Sequence, residues 1–220
     1  MLSQKYIDML SKKSVIRELS EYAVARGKEI GYENVFDYTL GNPSVAVPKS
    51  FNDSIINLLQ TKGSMELHGY SQSLGIFEVR HQVAESLNKR FDMNYETDHI
   101  FMTSGAAGAI AHAVRLVTEP GDEVITFAPF FPEYNPYVTS SGAVLSVVPH
   151  DTKSFQINFE AFESMISKKT MAVLINTPNN PSGIAYSTET IKKLSKLLEE
   201  KSREYGHIIY LISDEPYREI

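Results

Sequence analysis

Along most of the chain after residue 95, short apolar runs alternate with longer stretches whose apolar residues recur every three or four positions. Five runs are rich in β-branched and aromatic residues: His99 to Thr103, Glu123 to Phe127, Val144 to Val148, Met171 to Asn176 and Ile208 to Ser213. Each is bounded by turn-forming or charged residues, as strands buried on both faces are. Between them, Ala106 to Val117 and Thr188 to Tyr205 have helical spacing, the second with Leu194, Leu197 and Leu198 on one side. Alternation of strand and helix predicts an α/β fold with a mostly parallel sheet covered on both faces, a three-layer sandwich.

The first hundred residues are organised differently. Residues 3 to 28 and 73 to 91 read as helical, whereas Tyr38 to Pro43 and Met65 to Ser73 read as irregular. Pro43 and Pro48 bracket an extended link, which puts a boundary near residues 45 to 65. The expected division is an N-terminal helical arm over residues 1–50 and the α/β region over 51–220, with no internal repeat.

Composition narrows the function classes. A chain of 220 residues with 42% apolar and 22% charged residues lies within the ordinary globular range. A net charge of -6 without a clustered basic stripe argues against nucleic acid as a partner and for a small-molecule ligand. The absence of cysteine excludes disulfides and thiolate metal sites, and no metal site is expected. The segment Met1 to Asp8 spreads its charges through an amphipathic stretch, unlike a secretory leader, and no apolar stretch approaches the roughly 20 residues that cross a bilayer. The expectation is a cytoplasmic protein.

In open α/β sheets ligands gather at the carboxyl ends of strands, so the residues after each apolar run carry the candidate chemistry. The first run leads into Thr103-Ser104-Gly105-Ala106-Ala107-Gly108-Ala109, where small residues at a helix start allow backbone amides to cradle a phosphate, or simply allow close helix packing. The G-x-G-x-x-G fingerprint and a Walker lysine are both absent, which disfavours a nucleotide-binding domain. The second run ends in Ala128-Pro129-Phe130-Phe131-Pro132-Glu133-Tyr134; Phe131 is the candidate to cover a planar ligand, against a plain core or lid role. The fourth ends in Asn176-Thr177-Pro178-Asn179-Asn180-Pro181-Ser182-Gly183, a rigid turn that aims an amide side chain, Asn180, or serves only as a structural loop. The fifth ends in Ser213-Asp214-Glu215-Pro216-Tyr217, where a carboxylate directly after an apolar strand needs a partner, either a pyridine-type nitrogen or solvent at a cap.

Taken in order, these segments resemble the class I and II aminotransferases, within the aspartate aminotransferase fold of pyridoxal-phosphate enzymes. The resemblance also rests on Leu40-Gly41-Asn42-Pro43, Gly69-Tyr70, Leu74-Gly75, Val79-Arg80 and Pro120-Gly121-Asp122, and so runs through nearly the whole chain. It implies pyridoxal 5'-phosphate as cofactor and transamination between an amino acid and a 2-oxo acid, of aspartate-type or broad specificity. By the same resemblance Asp214 pairs with the ring nitrogen, Tyr217 and Asn180 with the ring hydroxyl oxygen, and Phe131 stacks on the ring. Amides of Ala106 and Ala107 hold the phosphate, Tyr70 reaches the phosphate in a neighbouring subunit's site, and Gly41 and Asn180 lie near the substrate carboxylate. His68 is read as an ordinary loop histidine.

The resemblance also has departures. The family's Schiff-base lysine and the arginine for the substrate carboxylate belong to later segments, and Lys168, Lys169 and Lys192, placed on helix surfaces, do not match the lysine motif. The expected object is thus a partial pyridoxal-phosphate-binding large domain behind an arm and small-domain portion, with negligible transamination of its own. A homodimer or a complementing C-terminal chain would complete its sheet. Carbon–sulfur lysis, decarboxylation, or non-catalytic pyridoxal phosphate binding on the same scaffold are the competing readings.

Overall fold

The computed structural model describes residues 4, 7–8, 15–41, 45–151 and 153–219. The chain divides into two compact units, Met1–Tyr70 and Ser71–Ile220. In the first, helix α1 spans Val15–Ile30, α2 spans Lys49–Thr61 and α3 is a short turn over Ser64–His68. Asn42, Pro43 and, in the predicted first helix, residues 3, 5–6 and 9–14 lie outside the described residues.

The second unit contains α4 (Phe77–Phe91), α5 (Gly105–Val117), β1 (Glu123–Phe127), α6 (Tyr134–Thr139), β2 (Val144–Val148), α7 (Phe159–Met165), β3 (Thr170–Asn176), α8 (Thr188–Tyr205) and β4 (Tyr210–Asp214). The four strands form one parallel sheet in the order β2-β1-β3-β4. Because side chains alternate across a strand, one sequence of apolar residues feeds two cores. Ile125, Phe127, Val148, Val173 and Ile175 meet Phe162 of α7 and Leu194, Leu197 and Leu198 of α8. On the opposite face Val124, Ala172 and Leu174 meet Ile110 and Val114 of α5 and Tyr134 and Val138 of α6. The sheet is therefore covered on both faces, as the strand–helix alternation predicts.

Local chemistry fixes the element ends. Ser187 caps α8 by accepting from the Thr190 amide at 3.1 Å, and the helix stops at Gly206, whose φ of 79° is the left-handed conformation that glycine adopts without a side-chain clash. Three adjacent strands are tied through one carboxylate at the amino end of β1. Glu123 of β1 accepts from Ser146 Oγ of β2 at 2.5 Å and from Thr170 Oγ1 of β3 at 2.7 Å. Arg80 of α4 is buried at 4% exposure, and its guanidinium donates to the carbonyls of Gly75 at 3.3 Å and Thr97 at 3.0 Å. A buried cation is thereby satisfied while two loops are held to one helix.

Four sequence expectations require correction. His99 to Thr103 is not a strand. Ile100 has extended dihedrals (φ -105°, ψ 123°), but an extended segment becomes a strand only where a neighbour takes its hydrogen bonds, and it pairs with none of the four strands. Within Met65 to Ser73, read as irregular, residues up to His68 belong to α3, so His68 closes a helical turn instead of lying in a loop. The helix α2 was not expected: Asn52, Asp53 and Ser54 look like turn chemistry, yet Phe51, Ile55, Leu58 and Leu59 follow helical spacing. Lys168 and Lys169 occupy a turn before β3, while Lys192 lies in α8. Among the described residues no helix is long and apolar enough to cross a membrane.

Phe162 is fully buried and meets Phe127 edge-on, with ring centroids 5.2 Å apart. Phe162→Ala is expected to lower unfolding free energy by about 3–5 kcal/mol, read as a fall in the urea midpoint, because the cavity it leaves sits between sheet and helices. A midpoint unchanged from wild type would contradict this assignment of the core.

Candidate functional site

The chain leaves β1 towards β2 on one side and later enters β3 on the other, so the β1–β3 junction is the point where the strand order reverses. A crevice opens at the carboxyl ends of strands at such a point. A cavity of about 230 Å³ lies there, lined by Ala106, Ala107, Ile110, Phe131, Tyr137, Asn176, Asn180, Asp214, Pro216 and Tyr217. Six residues singled out in the sequence, Ala106, Ala107, Phe131, Asn180, Asp214 and Tyr217, thus converge from four separate segments. Tyr70 and Gly41 belong to the other compact unit; Tyr70 is fully exposed, and Gly41 has open space around its Cα.

Asp214 ends β4 at 9% exposure. Its Oδ2 accepts from Tyr134 Oη at 2.6 Å, and its backbone carbonyl accepts from Asn176 Nδ2 at 2.9 Å. Burial, followed by the hydrogen bond to Asp214 and its charge, pushes the Tyr134 phenol well above its ordinary range. Tyr134 is therefore a proton donor to the carboxylate at any physiological pH. Burial first, then the charges of Glu133 and Asp214, also raise the phenol of Tyr137 on the same helix.

The turn after β3 is fixed by side-chain amides. Asn176 Oδ1 accepts from the Asn180 amide at 2.6 Å, and Asn180 Nδ2 donates to Tyr217 Oη at 3.1 Å. Asn179 is the structural member of the asparagine pair. Its Nδ2 donates to the Pro129 carbonyl at 3.2 Å and its Oδ1 accepts from Ser182 Oγ at 2.8 Å, tying the turn that carries Phe131 to the turn that carries Asn180. The peptides preceding Pro129, Pro178 and Pro181 are cis.

Across the cavity, α5 begins at Gly105, whose φ of 70° again calls for glycine, and Ser104 makes no side-chain cap to the first turn. The amides of Ala106 and Ala107 belong to that first turn, where backbone N–H groups have no partner within the helix and carry its positive dipole end. One side of the cavity is thus anionic and another offers amide donors. This donor set suits a flat molecule with a cationic ring nitrogen and an anionic phosphate. Tyr134, Asn176 and Tyr137 were not singled out as site residues. Tyr134 closes the aromatic turn and Asn176 is the polar residue ending an apolar strand, but their partners lie far away in sequence.

Residues 33–220 match the family model for aminotransferase class I and II. The chain is 32% identical over 213 residues to an aspartate aminotransferase of Thermotoga maritima, covering 92% of this chain and 54% of that protein. Among solved structures, an amino transferase from Eubacterium rectale superposes with a TM-score of 0.95 at 47% identity, over 100% of this chain and 56% of that one. The Thermotoga maritima aspartate aminotransferase structure gives a TM-score of 0.82 at 30% identity, over 97% and 53%. The chain spans about half the length of these relatives. With the family match extending from the first unit to the last residue, the chain belongs to the class I and II aminotransferases.

Proposed function

We propose that the cavity binds pyridoxal 5'-phosphate and that the protein transfers an amino group between an amino acid and a 2-oxo acid, with aspartate-type or broad specificity. The observation that carries this reading is the convergence of Asp214, Asn180, Tyr217, Phe131 and the α5 start on one cavity. When bound, the cofactor supplies an electron sink for the carbanion at a substrate α-carbon. Asp214 keeps the ring nitrogen protonated, since a buried carboxylate favours a cation beside it. Asn180 and Tyr217, already hydrogen-bonded to one another, present an amide and a phenol to the ring hydroxyl oxygen. Phe131 covers the ring face and excludes water from it. The amides of Ala106 and Ala107 hold the phosphate at the helix start. Asn180 also contributes to the substrate carboxylate.

The first unit has its own part in this reading. Tyr70 is fully exposed, which suits a side chain that reaches the phosphate bound by a second copy of the chain in a homodimer. No lysine lines the cavity among the described residues. Binding by this cavity is accordingly proposed to rest on contacts to the ring and the phosphate.

Equilibrium dialysis of the 220-residue chain should show retention of pyridoxal 5'-phosphate. Asp214→Asn is expected to weaken it about ten- to hundredfold, the cost of losing a charge-assisted contact. Failure of the wild-type chain to retain cofactor, or an Asp214→Asn variant that binds as well as wild type, would remove the reading.

A second measurement concerns the helix start. Pyridoxal, which lacks the phosphate, is expected to bind at least about tenfold more weakly than its phosphoester, since contacts to charged groups contribute about 1.5–3 kcal/mol. Equal affinity for the two would show that the Ala106 and Ala107 amides do not serve as an anion site.

A further inference from the structure

Tyr134 meets two cavity-lining groups while reaching no solvent itself. Its hydroxyl donates to Asp214 Oδ2 at 2.6 Å, and its ring stands edge-on to Phe131, with centroids 5.7 Å apart and planes at 79°. The side chain is 0% exposed and belongs to the core cluster that includes Ile110, Val114, Val124 and Leu174. A phenol so enclosed cannot swing between rotamers without opening the core. The orientation of the Asp214 carboxylate is consequently set by packing beneath the sheet's ligand end and not by solvent.

The other groups beside Asp214 do not substitute for this contact. Tyr137, from the same helix, lines the cavity without donating to the carboxylate, and the Tyr217 hydroxyl is engaged by Asn180. Among the described residues Tyr134 is the donor to the carboxylate, and it takes one oxygen, leaving the other for a ligand.

We propose that Tyr134 is a positioning residue for cofactor recognition: its hydroxyl fixes the Asp214 carboxylate with one oxygen available to the ring nitrogen, and its ring seats Phe131 against the ring face. The proposal rests on the cofactor reading above and adds a residue that touches no ligand. The two halves of the role separate chemically. Losing the hydroxyl leaves the ring in place and frees the carboxylate to rotate, so only recognition of the ring nitrogen suffers. Losing the ring disturbs Phe131 as well, so every flat ligand suffers.

The test measures binding of pyridoxal 5'-phosphate and of its carbocyclic analogue, in which the ring nitrogen is replaced by C–H, to wild type, Tyr134→Phe and Tyr134→Leu. Tyr134→Phe is expected to bind pyridoxal 5'-phosphate about tenfold more weakly, the effect of losing a hydrogen bond to a charged group, while its affinity for the analogue stays at the wild-type value. Tyr134→Leu weakens both ligands. The role is overturned if Tyr134→Phe loses both ligands in parallel, which marks a general packing effect, or if it loses neither. Should Tyr134→Leu fail to fold, the near-isosteric Phe variant still decides the matter. A wild-type chain that binds neither ligand removes the cofactor reading and this role with it; a wild type that binds alongside an unaffected Phe variant removes the role alone.

Discussion

A carboxylate at the end of a buried strand is the constraint around which the ligand end of this fold is arranged. Moved out of water without a partner, such a group costs several kcal/mol, so it must either meet a donor or give up its charge. Tyr134 supplies the donor at 2.6 Å, from a helix that the chain forms directly after β1. That helix must then sit flush against the sheet, and Tyr134 shares its core cluster with Val138 and with Val124 of β1. The polar contact and the apolar packing are thus one arrangement: shifting α6 would expose the core and strand the carboxylate together.

The remaining groups follow from chain direction. In a parallel sheet every strand delivers its last residue to the same edge, so segments far apart in sequence contribute Phe131, Asn180 and Asp214 to one cavity. The helix that supplies amide donors starts beside them because α5 packs across the same face as α6. Negative charge from Asp214 and the positive end of α5 then border one space, and a ligand carrying both signs of charge is held by both. Asn179 keeps the two neighbouring turns in register, which explains why the turn after β3 contains two asparagines and not one.

Much of this was legible from residue patterns. The bounds of β1, β2 and α8 follow from apolar runs and spacing, and the six cavity-lining candidates follow from the strand ends and from the order of their motifs. What escaped depended on neighbours. Extension of Ile100 can be read locally, whereas pairing requires an adjacent strand. The helix α2 begins with Ser50, Asn52, Asp53 and Ser54, residues that favour turns and obscure the apolar positions between them. Tyr134 reads as one aromatic among several because its partner is 80 residues away, and no local signal announces a contact at that separation.

Glu123 binds hydroxyls from both neighbouring strands at the margin opposite the cavity, whereas at the cavity margin Asn176 of β3 reaches the Asp214 carbonyl of β4 and Asn179 reaches the Pro129 carbonyl after β1. The two margins are thus pinned by different chemistry, a shared carboxylate on one side and amide side chains on the other, so a change at Glu123 would loosen three strands while the asparagines kept hold of the cavity.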